Sequence, residues 1–131
     1  MNNQKEALQK IPFKYEREVS NHLNSCMIKE IHNGYKYLKH AFKILYFDAS
    51  ATFNIKKCVY FPIKEYFNTD EEAVERCVRY AIKNGFKLSK QYNCENFFSD
   101  FKDVPSNKAF IEKSSEYIKD NYLKSKSDFA P

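Results

Sequence analysis

YEREVSNHLNSCMIKEIHNGYKYL, residues 15–38, carries two interleaved rows of apolar or small side chains. One runs Val19, Leu23, Cys26, Gly34, Tyr37 and Ala41; the other runs Met27, Ile31, Tyr35, Leu38 and Phe42. Steps of three and four describe one long helix with a wide apolar face, expected over residues 16–45. Glu30 fills the one gap in the first row. A carboxylate on a core-facing row is costly unless a cation, a donor or a metal meets it, so Glu30 is the informative oddity of the stretch.

At 131 residues the chain is expected to form one domain. Hydrophobic residues make up 43% and aromatics 17%, which argues against disorder throughout. Two glycines and four prolines favour a few long helices over many short strands, so the class expected is all-α. The formal charge of +5 comes from 22 basic and 17 acidic side chains, interspersed without a basic block. This reads as a solvated surface, and nucleic acid is not an expected partner. No run approaches a membrane span, and MNNQKEALQKIPF has no apolar core of signal-peptide length. A cytoplasmic location without a membrane partner is expected. Cys26, Cys58, Cys77 and Cys94 include no Cys-x-x-Cys pair, which excludes zinc-ribbon and thioredoxin readings. They read as small buried apolar residues of a reducing compartment.

Residues 1–14 read as a flexible polar arm and residues 15–131 as a helical domain. Pro62 suits the first turn of a second helix. From there Ile63, Phe67, Val74, Val78 and Ala81 hold a helical row, with Glu71 on it. Thr69-Asp70-Glu71-Glu72 is a well-formed capping box that would start a fresh helix. The apolar phase carries through Thr69, however, and favours a continuous helix ending at Asn84-Gly85. Residues 87–102 form a crossing segment whose Phe97, Phe98 and Phe101 read as core rather than as a stacking platform. Pro105-Ser106 then opens a last helix with Phe110, Ile111, Tyr117, Ile118 and Tyr122 as its apolar side.

A family resemblance runs through the same residues. Tyr15, Glu18, Leu23, Asn24, Glu30, Tyr35, Tyr37 and Leu38 fall where the first helix of ferritins has its Y…E…LN…E…Y-Y-L pattern. Tyr46-Phe47-Asp48 resembles the Y-F-D that closes that helix, three residues late. Ala109-Phe110-Ile111-Glu112-Lys113 resembles the start of the family's third-helix site, and Asp128-Phe129-Ala130-Pro131 the end of that helix. Over residues 14–131 the chain resembles a divergent ferritin subunit, light-type or degenerate, that stops after the third helix. The resemblance implies an incomplete ferritin-like four-helix bundle: a long antiparallel helix pair, a crossing segment and a third helix. It implies intracellular iron storage, with iron as cofactor, in a homo-oligomer or co-assembled with other ferritin subunits.

A di-iron ferroxidase centre needs inward carboxylates and a Glu-x-x-His pair one turn apart. The resemblance places Glu30 and Glu112 at metal positions and Tyr37 beside them. On the second helix three registers stay open. Matching Glu71-Glu72 to the family's Glu-Glu makes Glu72 the bridging ligand and puts Glu75 where histidine belongs. The apolar row instead points Glu71 inward and leaves Glu72–Arg76 and Glu75–Arg79 as i,i+4 pairs. A light-type register leaves no ligand pair. None supplies the histidine, so the expected metal set is Glu30, Glu71, Glu72, Glu75 and Glu112 without a complete ferroxidase centre; the resemblance leaves open only a residual ferroxidase activity on Glu30, Glu72 and Glu112 with Glu75 in place of the histidine. By spacing alone Glu112 falls with Ser115, Glu116 and Lys119 on a solvated face. His22, His32 and His40 fit no compact ligand motif, and His32 and His40 are expected on a partly wet side. No Ser-His-Asp set, Gly-rich phosphate loop or Cys-His pair can be assembled. The rival function is a non-catalytic helical interaction module whose apolar groove takes a dimer partner or a foreign helix. An inactive truncated ferritin is the third reading.

Overall fold

The two apolar rows of residues 15–38 do form helix, but in two pieces. In the computed structural model, which describes residues 10–127, α1 spans Phe13–Ser25 and α2 spans Asn33–Phe47. The break comes at Met27, whose φ of 62° is left-handed. The Met27 N–H bonds the Asn24 carbonyl at 3.0 Å and the Ile28 N–H bonds the Leu23 carbonyl at 3.1 Å. These are the two bonds of a Schellman C-cap, and Ile28 and Leu23 are both buried, as its apolar contact requires. The single helix expected over residues 16–45, and the long antiparallel pair built on it, are corrected accordingly. Of the expected arm, residues 1–9 lie outside the described residues. Its described end is packed, since Ile11 is buried and α1 starts at Phe13.

Beyond α2, Asp48 accepts the Ser50 N–H at 3.1 Å and starts a 3-10 turn, Ala49–Asn54. A π-turn, Lys56–Tyr60, leads into α3, Phe61–Phe67, with Pro62 in its first turn. The helix stops there. A separate helix, α4, spans Glu71–Gln91, so the continuous second helix is corrected in favour of a fresh start. Gly85 does not end α4. A Cβ at Gly85 would lie 2.6 Å from the Cys26 carbonyl oxygen and 2.9 Å from Ile28 Cγ1, so glycine lets α4 pass tightly under the α1–α2 turn. Asn93, with φ 53°, closes α4 in the manner of Met27: the Cys94 N–H bonds the Ser89 carbonyl at 2.9 Å.

Asn96 then ties three elements. Its Oδ1 accepts the Phe98 N–H, and its Nδ2 donates to the Ser25 carbonyl (2.9 Å) and to Ser89 Oγ (2.8 Å). This seats a 3-10 turn, Phe97–Asp100, with Phe98 fully buried and stacked 5.6 Å from Phe110. The last helix, α5, spans Asn107–Ser127. Its buried side holds Phe110, Ile111, Ser114, Ser115, Ile118 and Tyr122, whereas Tyr117 is half exposed, against expectation. Residues 128–131 lie outside the described residues.

α1 packs on α5, and α2 on α4. At the first contact His22 is buried, its Nε2 2.8 Å from Ser114 Oγ and its Nδ1 without a partner. Burial lowers its pKa to about 4. His40 is buried too, between Tyr66 and Phe67, and not on a wet side. The all-α expectation holds, with no strand among the described residues. No helix among them is long and apolar enough to cross a membrane.

Candidate nucleic-acid interface

α3, a three-residue turn and α4 form a helix-turn-helix unit. α3 stops because Asn68 adopts a left-handed conformation (φ 53°, ψ 55°), which asparagine tolerates better than most residues. The Thr69 N–H then closes onto the Lys64 carbonyl at 3.1 Å. α4 starts at once because the extended Asp70 accepts the Ala73 N–H at 2.8 Å. Ile63 of α3 and Val74 and Val78 of α4 are buried in one core, so the turn has an apolar seat. In DNA-binding proteins built on this unit, the second helix enters the major groove.

The outward side of α4 has the charge for that. From Arg76 to Gln91 the sequence holds Arg76, Arg79, Lys83, Lys87 and Lys90 and no Asp or Glu. Steps of three and four place the five cations on one side of the helix, and all five are exposed. A cleft of about 720 Å³ runs along this side, lined by Arg76, Arg79, Lys83 and Lys87, with Asp103 as its one acidic side chain and Val104 beside it. A smaller cleft of about 450 Å³ shares Arg76 and Tyr80 and reaches His32 and Asn33 at the start of α2. The rings of His32 and Tyr80 lie 5.5 Å apart. Two of the cations have protein partners: Arg79 Nη1 bonds both carboxylate oxygens of Glu75, and Lys90 Nζ donates to the Phe98 carbonyl at 3.2 Å. The first turn of α4 is acidic, with Glu71 and Glu72 following Asp70, where the helix dipole favours negative charge. The positive stripe therefore begins one turn into the helix.

The family model described as the C terminal of the sporulation initiation factor Spo0A matches residues 19–118. The match runs from α1 into α5 and takes in the whole helix-turn-helix unit. The chain belongs to that family. Membership overturns the ferritin resemblance, and with it iron storage, iron and ferritin subunits as partners, and the exclusion of nucleic acid. The exclusion rested on acidic and basic residues being interspersed over the chain as a whole, and it overlooked the acid-free run 76–91, whose cations the helical fold of residues 71–91 brings to one side.

The carboxylates proposed as ligands are spread across the fold. Glu30 is exposed in the turn between α1 and α2, so it is not an inward carboxylate; the row it seemed to fill is broken at Met27. Glu71, Glu72 and Glu75 lie on the first turns of α4, with Glu72 exposed and Glu75 holding Arg79, as one register expected. Glu112 lies on α5. Among the described residues no group of three or more His, Cys, Asp or Glu side chains is placed to hold a metal ion. Tyr37 is buried, its ring 5.3 Å from that of Phe67. Sequence reading missed Arg76, Arg79, Lys83 and Lys87 as a set. Their acid-free helical spacing was the available signal.

Proposed function

We propose that the chain is the DNA-binding part of a transcription factor acting in sporulation, with α4 inserted into the major groove of duplex DNA. One observation carries the reading: the stripe from Arg76 to Lys90 lies on the exposed side of the second helix of a helix-turn-helix unit, in a chain of the Spo0A C-terminal family. Arg76 and Arg79 sit nearest the start of α4, where base edges are reached, and a guanidinium offers the donor pair that fits guanine O6 and N7. Lys83 and Lys87, further along, suit phosphates, to which they bring charge and reach without sequence information. Such a domain is non-catalytic, so the helical-module reading was nearer than iron storage. Work on DNA agrees with a cytoplasmic location.

The test is fluorescence anisotropy of a labelled duplex titrated with the protein across a salt series. Binding is expected to weaken steeply with salt, and Lys83→Ala with Lys87→Ala to lower the log–log slope by about 0.9 per cation removed. Duplex binding that ignores both salt and the double substitution overturns the reading.

A further inference from the structure

α5 begins at a fixed place. Ser106 Oγ accepts the Ala109 N–H at 3.1 Å and the Ser106 carbonyl accepts the Phe110 N–H at 2.9 Å, which caps the helix and pins Asn107 as its first residue. The side chain of Asn107 points away from α5 into the helix-turn-helix unit. Its Nδ2 lies 3.1 Å from Tyr60 Oη and 3.1 Å from the Glu75 carbonyl oxygen. An amide nitrogen carries two hydrogens, so one atom makes both bonds at once. Tyr60 is buried and immediately precedes α3; Glu75 is in the second turn of α4, beside Arg76.

The seven residues of α3 continue the Lys56–Tyr60 π-turn, and they are seated by the buried Ile63 and the partly buried Phe67. The turn to α4 rests on a left-handed Asn68, and the Asn107 amide adds a polar tie between Tyr60 and the Glu75 carbonyl to the apolar contact of the two helices. We propose that Asn107 is a positioning residue for DNA recognition, a brace from α5 that fixes α3 and α4 relative to one another; the inference rests on the DNA-binding reading. A brace of this kind matters unequally to the two sorts of contact. Bidentate base contacts from Arg76 or Arg79 fail when α4 tilts slightly, because both donors must meet their acceptors together. Long lysine side chains follow a phosphate through the same tilt. Loss of the brace therefore costs specificity and spares non-specific affinity.

The experiment starts with the wild-type protein and a pool of randomised duplex, from which the bound sequences are enriched and identified. Asn107→Asp and Tyr60→Phe are then compared with wild type for binding to the enriched duplex and to a scrambled one. Asn107→Asp keeps shape and suits a helix start but cannot donate to the Glu75 carbonyl, although the Tyr60 hydroxyl can still donate to the new carboxylate; Tyr60→Phe removes the other arm and keeps the buried ring. Each is expected to lower the ratio of specific to scrambled affinity, about tenfold for Asn107→Asp, with scrambled-duplex affinity changed little. Residual dipolar couplings of the free proteins are expected to show α4 reoriented relative to α3 in Asn107→Asp. Unchanged specificity with wild-type couplings overturns the brace. Should Asn107→Asp fail to fold, Tyr60→Phe decides in the same way. A wild-type chain that enriches no sequence overturns the DNA-binding reading itself, before any variant is made, and the couplings then decide whether the brace exists.

Discussion

Glu75 holds Arg79 through both carboxylate oxygens, one turn apart on the exposed side of α4. The side chains are 40% and 50% exposed, so the pair contributes little to stability, below about 1 kcal/mol. Its consequence for DNA is larger. On the proposed DNA-binding reading, Arg79 would meet a phosphate or a base with a counter-charge already in place, and contact would require that the pair be broken or shared. Glu75→Gln keeps the helix, the side-chain length and the carbonyl that receives Asn107. It is expected to tighten binding to non-specific duplex several-fold and to steepen the salt slope by about 0.9, with the urea midpoint little changed. Anisotropy titrations at two or more salt concentrations check this.

Gly85 lies inside α4, where alanine is ordinarily better by about 1 kcal/mol, and Gly34 lies in the first turn of α2. Here the sign reverses. A Cβ at Gly34 would lie 2.6 Å from Ala81 Cβ and closer still to the Cys77 carbonyl oxygen, where α2 crosses α4. At Gly85 the obstacle is again a backbone oxygen, that of Cys26. Neither can rotate away, so helices must separate. Gly34→Ala and Gly85→Ala are each expected to destabilise by roughly 2–3 kcal/mol in urea unfolding. A gain in stability at either site would mean that the two helices do not meet there.

His22 and His40 make stability depend on pH. Burial lowers both pKa values from 6.5 to about 4, and at His40 the nearby Lys43 adds to the effect. Between those values the unfolded chain takes up protons that the folded chain does not, so stability falls as pH is lowered from about 6.5 towards 4. Above that window it is flat. Full traversal is worth up to about 3 kcal/mol per histidine. Urea midpoints measured at pH 7.5, 6 and 5 are expected to decline in that order, and less steeply in His22→Gln. A midpoint that stays level to pH 5 would show that the imidazoles are not buried as neutral groups.

The helical class was legible because apolar steps of three and four are visible whether or not a helix is interrupted. The interruptions were harder to see. At Met27 a left-handed residue carries no glycine or asparagine to announce it, and the apolar rows resume in phase beyond the turn. That made Glu30 seem to fill a core position it does not occupy. At Asn68 the signals were present, with asparagine at the stop and Thr69-Asp70 at the restart, but Phe67 and Val74 kept the helical phase across the turn. Gly85 was read as a stop because glycine commonly ends helices, whereas here it serves close packing. The binding side followed the same logic in reverse. Arg76, Arg79, Lys83, Lys87 and Lys90 are scattered in sequence, and they become one stripe only once residues 71–91 are known to form a single unbroken helix.

Asp70 has two effects that DNA binding sets against each other. Its Oδ1 accepts the Ala73 N–H at 2.8 Å and caps α4, a bond whose loss to alanine costs about 1 kcal/mol. Its charge, together with Glu71 and Glu72, lies at the end of α4 that the proposed docking would bring to base edges first, where it would oppose the approach of phosphates. Asp70→Ser keeps the acceptor and drops the charge; Asp70→Ala drops both. Asp70→Ser is therefore expected to hold the urea midpoint and bind non-specific duplex several-fold more tightly. Asp70→Ala is expected to gain the same affinity while losing about 1 kcal/mol of stability. If both variants instead bind enriched duplex more weakly, the carboxylate is itself a contact, accepting from a cytosine amine. The acidic turn would then select sequence instead of repelling the backbone.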